Sequence, residues 1–274
     1  MTFHHPAFAP YGQLIDALDL GETRPTLEAF NTVACARNVT QASGLPLRFV
    51  AAQGHLSARD YETRILQTGE VPTRADTWHD VMNALVWLRF PTFKAVLNAA
   101  HGEAIGREAD TLRGRRRDAL TMLDESGVWV MSRDPALPLL LAEHAWQALF
   151  WDRRHAVETT MQFVVVGNAL LEKLLTPYPA MTGKCLMLGA QACELDAEPH
   201  AVAGLATVDS PHQLAALPVQ GVPGWDDANA AAAYYANANI FRPARVKPPA
   251  GAAPLPPPTP APCPDHQTGE SPLT

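Results

Sequence analysis

The sequence has only four cysteines, and no two of them stand at the CxxC spacing of zinc ribbons or thioredoxin-like redox sites. Cys35, Cys185, Cys193 and Cys263 lie far apart, which predicts reduced thiols. The start of the chain, MTFHHPAFAPYG, lacks a basic stretch followed by an apolar run, so no secretory signal is expected. These features together predict a cytoplasmic protein.

Long apolar runs are also missing. The longest, PALPLLLAEHAW and FVVVGNALL, are interrupted by Pro, Glu, His or Gly well short of the roughly 20 residues that a membrane span needs. We therefore expect no membrane association. Apolar residues nevertheless make up 47% of the chain and charged residues only 18%, which is typical of a soluble globular protein with a large interior.

Positive charge is scarce. Lys and Arg total 21 against 28 Asp and Glu, which gives a formal net charge of -7. Because phosphate binding depends on a concentrated basic face, nucleic acid is not the expected partner. The run RGRRR, which ends at Arg117, is the main local exception. It is predicted to be a solvated loop, with contact to a phosphate or an acidic partner as the alternative.

Several common catalytic motifs are absent. The sequence contains no Gly-rich phosphate loop, no nucleophile elbow and no dinucleotide fingerprint, which disfavours nucleotide enzymes and α/β-hydrolases. The stretch HDVMN that begins at His79 is not the HExxH of zinc peptidases. The sequence therefore identifies no cofactor and leaves the presence of a metal open.

Helical patterns dominate the segments that are present. Ser57 and Thr77 each precede an Asp by three residues, the spacing of a helix N-cap, and Gly69 suits a helix end. Pro91 ends the helix predicted for 77–90 and can begin the next one. Further helices are predicted from Thr26 to Val39, from Pro135 to Trp151 and over NALLEKLL.

Strands are fewer and shorter. LRFVAA and the stretch Thr159–Val166 are predicted as short buried strands, and RDALTMLDESGVWVMSRD is predicted as a β-hairpin. The turn of that hairpin would contain Asp124 and Glu125, where acidic residues favour local backbone bonding. Asp118 and Asp124 would then lie roughly 20 Å apart along an extended strand, at about 3.3 Å per residue.

These elements predict one mainly helical α+β domain over residues 1–246, with a β-hairpin and short buried strands. Residues 247–274 are Pro-rich and poor in large apolar groups, so we predict a disordered tail.

Candidate functional residues are concentrated between Val71 and His101, in the two predicted helices that Pro91 separates. His79 and Asn83 stand four residues apart on one helical line, and Lys94, Asn98 and His101 share another. Imidazole can bind a metal or exchange a proton near neutral pH, and basic side chains can hold an anionic group. The predicted catalytic residues are His79, Asn83 and His101, and the predicted substrate-binding residues are Arg74, Lys94 and Asn98.

Each of these residues also has a structural interpretation. Asp80 is explained as a helix-capping residue, and a partly buried His79 bonded to Asn83 or to a backbone carbonyl would be ordinary. Lys94, Asn98 and His101 would form a solvated helix face, and Arg74 would make a loop hydrogen bond. The hypothesis depends on whether two consecutive helices turn these groups towards one shared, water-accessible pocket.

The chain also resembles a known family. The succession YETRILQTGEVPTR, TWHDVMNALVWLRFP, KAVLNAAH, RDALTMLDESG and GVPGW with a later FRP resembles the bacterial family catalogued as domain of unknown function 3025, from about Phe49 to Pro243. Because this family has no established activity, the resemblance implies no catalytic residue, cofactor or partner.

Two functional hypotheses follow. The first is a hydrolase-type enzyme whose cleft is lined by the six candidate residues, with His79 as a general base or metal ligand and Arg74 or Lys94 holding an anionic group. The second is a noncatalytic module that binds a small-molecule ligand or a protein partner through the same groups. The sequence determines neither the substrate nor the oligomeric state.

Overall fold

A four-stranded mixed sheet lies at the centre of the computed structural model, which describes residues 3–21, 23–74, 76–107, 114–193 and 196–244. Its strands are β3 (Gly127–Ser132), β4 (Met161–Val165), β5 (Thr182–Met187) and β6 (Ala215–Pro218), in the order β4-β3-β5-β6. β3 pairs antiparallel with β4 and parallel with β5, and β6 is antiparallel to β5. All six residues of β3 are buried, as expected for a strand covered on both faces.

A second sheet contains β1 (Arg48–Ala51) and β2 (Glu70–Thr73), which pair in parallel. The helices are α1 (Gly12–Ala17), α2 (Leu27–Ala36), α3 (Ala58–Thr68), α4 (Trp78–Arg89), α5 (Pro91–Arg107), α6 (Arg115–Ser126), α7 (Ala136–Ala142), α8 (Arg154–Thr160), α9 (Asn168–Lys173), α10 (Ala197–Leu205) and α11 (Ala232–Tyr235). The predicted mainly helical α+β class is confirmed. The described residues up to Pro243 belong to one unit, and the predicted tail over 247–274 lies outside the described residues.

Helix boundaries near the candidate residues follow the local signals. The Ser57 hydroxyl accepts a hydrogen bond from the Asp60 N–H at 3.1 Å, and the Thr77 hydroxyl accepts one from the Asp80 N–H at 3.4 Å. Gly69 ends α3 with a φ of 70°, a left-handed conformation that glycine adopts without steric cost. The predicted caps are therefore confirmed.

The predicted hairpin is wrong. Residues 115–126 form α6, and the chain becomes extended only at Gly127. Ala119, Leu120 and Leu123 bury one face of this helix, and the sequence RRRDALTMLDES contains a single β-branched residue, Thr121. Good helix formers and a helical apolar stripe therefore decide the structure, although the acidic residues resemble a turn.

This correction changes the distance between the two aspartates. On an α-helix, six residues span roughly 9 Å at about 1.5 Å per residue. The predicted separation of about 20 Å between Asp118 and Asp124 is therefore wrong, and so is the turn position given to Asp124 and Glu125. Helical spacing instead places Arg117, Thr121 and Asp124 on one side of α6.

The predicted helix over 135–151 is interrupted. α7 ends at Ala142, His144 has a φ of 56°, and a separate π-helical turn covers Ala148–Asp152. The strand predicted from Thr159 begins only at Met161, because Thr160 is the last residue of α8.

In the part of the chain that the structure describes, no helix combines the length and apolar character needed to cross a membrane.

Gly167 is a point of close approach between the segments that carry α6 and α9. A Cβ at this position would lie 2.5 Å from both the N and Cα atoms of Ser126, which are backbone atoms that cannot rotate away. We expect Gly167→Ala to lower the free energy of unfolding by about 1–3 kcal/mol, as overpacking does in other cores. Urea denaturation followed by circular dichroism measures this change.

Gly106→Ala is the matched control for that substitution. Gly106 lies in α5, where a Cβ would meet no atom within 4 Å. Alanine favours helix over glycine by up to about 1 kcal/mol, so this variant should equal or exceed the wild type in stability. An equal loss of stability in both variants would contradict the proposed close approach.

Candidate active site

Helices α3, α4, α5 and α6 surround a pocket of about 390 Å³. α3 packs on α5, α5 packs on both α4 and α6, and α4 also packs on α9. The Phe90–Pro91 junction places the end of α4 directly against the start of α5. Side chains from helices that are adjacent in sequence and from helices that are distant therefore meet in one cavity.

The pocket contains four of the six predicted site residues, namely Arg74, His79, Asn83 and His101. Lys94 and Asn98 do not line it. They line a much smaller cavity of about 10 Å³ that shares Tyr61, Glu62, His101 and Asp124 with the pocket. The catalytic and binding roles given to the six residues stay predictions, but their locations now divide them into two groups.

His79 makes a contact that connects two helices. Its Nδ1 lies 3.3 Å from Oε2 of Glu172, which belongs to α9. Among the described residues, Glu172 is the hydrogen-bond partner of the His79 ring, and it contacts Nδ1. Nε2 is therefore the nitrogen available to a ligand. A carboxylate that holds one imidazole nitrogen selects the tautomer and orients the other, as in catalytic triads.

Arg74 lies at the more exposed side of the pocket, with 57% of its side chain accessible. Its Nη2 and Nε donate to the two carboxylate oxygens of Asp80 at 2.8 and 3.1 Å, and its backbone N–H donates to the same carboxylate at 2.6 Å. Asp80 thus holds the loop before α4 in addition to standing in the first turn of the helix. This two-point pair fixes the plane of the guanidinium group.

Asn83 and Tyr61 form a second fixed pair. Asn83 Nδ2 donates to the Tyr61 hydroxyl at 2.9 Å, which leaves the phenol proton for another acceptor. Burial raises the pKa of Tyr61 well above its usual value, and the nearby carboxylates of Glu62 and Asp124 raise it further. The Tyr61 hydroxyl therefore stays protonated at neutral pH and can act as a donor.

Beneath the pocket, Lys94 is almost fully buried and pairs with Asp124 through its ammonium group. The Lys94 Nζ also lies 5.6 Å from the centre of the Trp87 ring. Burial acts to raise the pKa of Asp124, but the charge and hydrogen bond of Lys94 outweigh it, so the pKa is lowered. Asp124 is therefore ionised at neutral pH.

Glu62 lies beside this ion pair. Asn98 Nδ2 donates to the Glu62 carboxylate at 2.6 Å and to its backbone carbonyl at 3.1 Å. Burial and the charge of Asp124 raise the pKa of Glu62 to about 7, against the opposing effects of Asn98, Lys94 and Arg117. Glu62 can therefore give or take a proton near neutral pH, which is the property of a general acid or base.

Glu125 follows Asp124 on α6 and also lines the pocket. Burial and the Asp124 charge raise its pKa as well. The Asp124 carboxylate thus lies close enough to raise the pKa of both Glu62 and Glu125, and among these three groups it is Asp124 that pairs with the Lys94 ammonium group.

Comparison with protein families identifies the family of this chain. The family model described as "Protein of unknown function (DUF3025)" matches residues 47–245, which is well over half of the chain. The chain belongs to the DUF3025 family. No curated protein and no solved structure matches it. The extent agrees with the resemblance from about Phe49 to Pro243, whereas a bacterial origin stays a prediction.

Some residues of this DUF3025 pocket were missed by sequence reasoning. Asp124 and Glu125 were predicted in a hairpin turn, and Arg117 in a solvated loop. Glu62 and the Glu172 partner of His79 were not considered. Glu62 is one of several charged residues in α3, so nothing in the sequence distinguished it, and the Glu172 contact joins residues 93 positions apart.

The metal-ligand alternative for His79 requires several donor side chains around one point. Among the residues that the structure describes, no three His, Cys, Asp or Glu side chains are arranged to hold a metal ion. His79 is instead held by Glu172.

Proposed function

We propose that this protein is a hydrolase that acts on a small polar substrate by general acid–base catalysis in the 390 Å³ pocket. The observation that carries the proposal is the His79–Glu172 pair, in which one imidazole nitrogen is held by a carboxylate while the ring lines the pocket. A base oriented by a second group is the recurring arrangement of hydrolytic sites.

The attacking group in this proposal is water. Among the described residues that line the pocket, hydroxyl groups come from Tyr61 and Thr121, and no serine or cysteine is present. The Thr121 hydroxyl donates to the Arg117 carbonyl, which occupies its proton. Direct attack by water therefore fits the lining better than a covalent intermediate on a hydroxyl or thiol.

The proton balance uses two groups. His79 Nε2 takes a proton from water as the water oxygen bonds to the electrophilic atom of the substrate. Protonated Glu62 gives its proton to the leaving group as the bond to that group breaks. The proton on His79 then returns to Glu62 through solvent, which restores both groups. A pKa of about 7 allows Glu62 to be protonated in a substantial fraction of molecules at neutral pH.

The remaining pocket residues position the substrate. The Tyr61 hydroxyl, held by Asn83, is a donor for negative charge that develops on the substrate. Arg74, fixed by Asp80, offers its remaining N–H groups to an anionic or carbonyl group at the exposed side. Lys94 and Asn98 lie behind the pocket and do not touch the substrate. Lys94 pairs with Asp124, and Asn98 bonds to Glu62.

A noncatalytic small-ligand-binding module is the alternative. It is favoured by the side-chain pairs that already exist in the protein, because Arg74, Asn83 and Lys94 are each held by a neighbouring side chain. Such preorganisation benefits binding as well as catalysis.

Turnover of chromogenic substrates distinguishes the two. We expect the wild type to hydrolyse at least one of p-nitrophenyl acetate, p-nitrophenyl phosphate and L-alanine p-nitroanilide. His79→Ala should lower kcat/KM by about 100-fold or more, since a positioned acid or base contributes this much. Glu172→Gln should give an intermediate loss, because it removes the orienting charge while keeping a polar group.

His155→Ala is the matched control. His155 is an exposed residue of α8 that does not line the pocket, and its replacement should leave kcat/KM unchanged. Failure of the wild type to turn over all three substrates would overturn the hydrolase proposal in favour of the binding module. Equal rates in the wild type and His79→Ala would remove His79 from the mechanism.

A further inference from the structure

Asn168 lines the pocket and is only 3% exposed, yet the protein uses just one end of its side-chain amide. Its Oδ1 accepts a hydrogen bond from the Ala169 N–H at 2.6 Å. Because a backbone N–H can only donate, the atom that faces it must be the oxygen, and the other end of the amide is therefore Nδ2. Among the described residues, Nδ2 has no hydrogen-bond partner.

The Nδ2 group of Asn168 is open to the pocket. Among the described residues, it does not belong to the buried, unpartnered side-chain atoms that are sealed from solvent. Since the residue as a whole is almost fully buried and lines the pocket, the small accessible part of its amide faces the pocket. A nearly buried donor without an acceptor carries a desolvation cost, which a ligand with an acceptor atom would remove.

A purely structural role accounts for only half of this side chain. Asn168 is the first residue of α9, and its Oδ1 satisfies a backbone N–H at the start of that helix. The oxygen of an aspartate or a serine could do the same, because this contact needs an acceptor alone. The structural role therefore leaves the amide donor without an explanation.

Asn168 also belongs to the helix that holds the proposed base. Glu172, which contacts Nδ1 of His79, stands four residues after Asn168 on α9, so the two side chains share one face of that helix. α9 packs on α4, which carries His79, and both Asn168 and His79 line the pocket. The amide donor and the imidazole therefore reach one pocket from two helices that are in contact.

We propose that Asn168 is a catalytic residue whose Nδ2 donates a hydrogen bond to the carbonyl oxygen of the substrate, and that the substrate is a carboxylic ester or amide. The assignment rests on the proposed function and names the substrate class of the same site. As the water oxygen bonds to the carbonyl carbon and His79 takes the water proton, the π electron pair of the carbonyl moves to its oxygen. The Asn168 N–H stabilises this charge. The pair returns when the leaving group departs with the proton from Glu62.

A phosphate ester is the competing substrate class. It carries negative charge before the reaction begins, and the same pocket contains the ionised carboxylate of Asp124, which repels an anion. The Tyr61 hydroxyl and the Asn168 amide are uncharged donors, which suit a neutral carbonyl oxygen better than a phosphate dianion. Arg74, at the exposed side, is already paired with Asp80.

Two substitutions of Asn168 isolate the donor. Asn168→Asp keeps the oxygen that accepts from Ala169 but adds a charge, whereas Asn168→Ala adds no charge but loses that oxygen. Both remove the N–H donor. We expect each to lower kcat for p-nitrophenyl acetate by about 100-fold, with KM changed less than about threefold, as on removal of one oxyanion donor. The matched control is Asn237→Asp, an exposed asparagine outside the pocket whose Oδ1 also accepts a backbone N–H, and its kcat should equal that of the wild type.

A titration followed by NMR separates this assignment from turnover. The side-chain amide resonance of Asn168 in the isotope-labelled full chain, identified by its loss in Asn168→Asp, is followed at pH 7 as N,N-dimethylacetamide or inorganic phosphate is added. We expect a saturable shift with N,N-dimethylacetamide, which has a carbonyl acceptor and no N–H donor, and none with phosphate. No saturable shift with N,N-dimethylacetamide, a shift with phosphate alone, or an unchanged kcat in both Asn168 variants would overturn the proposal. If the wild type hydrolyses no substrate, the hydrolase proposal fails, and the titration still decides whether Asn168 binds a carbonyl oxygen.

Discussion

Lys94→Met is expected to lower the free energy of unfolding by about 3–5 kcal/mol at pH 7. The substitution keeps an unbranched side chain of similar length, so the packing against Trp87 changes little. It removes the positive charge, however, and leaves Asp124 ionised in a site where the carboxylate is only 17% exposed. Removing one partner of a buried ion pair costs more than removing both, because the remaining charge is desolvated and unpaired.

The pH dependence of this effect gives a further test. Lys94 keeps the pKa of Asp124 below its usual value, against the effect of burial. A lowered pKa stabilises the folded protein above the unfolded pKa of the group, and that stabilisation is lost as the pH falls through the folded value. In Lys94→Met, Asp124 can take a proton on acidification, so the loss of stability should be smaller at pH 4 than at pH 7.

Two further variants serve as controls for Lys94→Met. Arg107→Met removes a cation from the same helix, but Arg107 is 75% exposed and lies 3.9 Å from Glu103, so we expect a change below about 0.5 kcal/mol. Combining Lys94→Met with Asp124→Asn should recover part of the lost stability. If urea denaturation gives similar results for Lys94→Met and Arg107→Met, the buried pair contributes no more than a surface pair.

Glu62→Gln should change how stability depends on pH. The folded protein raises the pKa of Glu62 from 4.5 to about 7, so the folded state holds this proton more tightly than the unfolded chain does. Stability from this group is fully present below pH 4.5 and declines as the pH rises to about 7. At about 1.4 kcal/mol per pKa unit, the wild type should lose about 3 kcal/mol over this range.

The measurement is the difference in unfolding free energy between the wild type and Glu62→Gln at pH 4.5 and at pH 8. Glutamine has no charge and can accept the Asn98 hydrogen bond, so the variant should be more stable than the wild type at pH 8. Glu125 and Glu198 also have raised pKa values, and taking the difference removes their contribution. If this difference in unfolding free energy is the same at both pH values, the pKa of Glu62 is the same in the folded and unfolded states, which would contradict the prediction.

Stability and activity should respond to Glu62→Gln in opposite directions. If Glu62 supplies the proton to the leaving group, its replacement lowers turnover even as it stabilises the protein at pH 8. A group that lowers stability and lines a pocket is typical of functional sites. A structural carboxylate would not combine these two effects.

Local signals in the sequence predicted helix boundaries well. Ser57, Thr77 and Gly69 act through hydrogen bonds and backbone conformations within a few residues, and these do not depend on the rest of the chain. The hairpin prediction failed at Asp124 because acidic residues before a glycine are compatible with both a turn and a helix end. The burial of Leu123 and its neighbours, which only the tertiary structure supplies, decided between them.

The candidate site was predictable only in part. His79 and Asn83 share a helical line, and a short bend at Pro91 keeps α5 in contact with α4, so a shared pocket with His101 could be proposed from spacing, but the orientation of the two helices could not. The carboxyl groups came from α3, α6 and α9, whose positions depend on long-range packing. The same packing placed Lys94 and Asn98 in a separate small cavity behind the pocket.

The sequence by itself determined the class of the fold and the ends of the helices beside the site, because periodicity and capping act over a few residues. Its linked motifs identified the family, and four of the six side chains proposed from it line the pocket. The tertiary structure decided which charges meet. Glu172 reaches His79, Asp124 meets Lys94, and Asn98 bonds to Glu62 only because separate helices are packed together. Electrostatic effects depend on distance in space, which neighbouring positions along a chain do not specify.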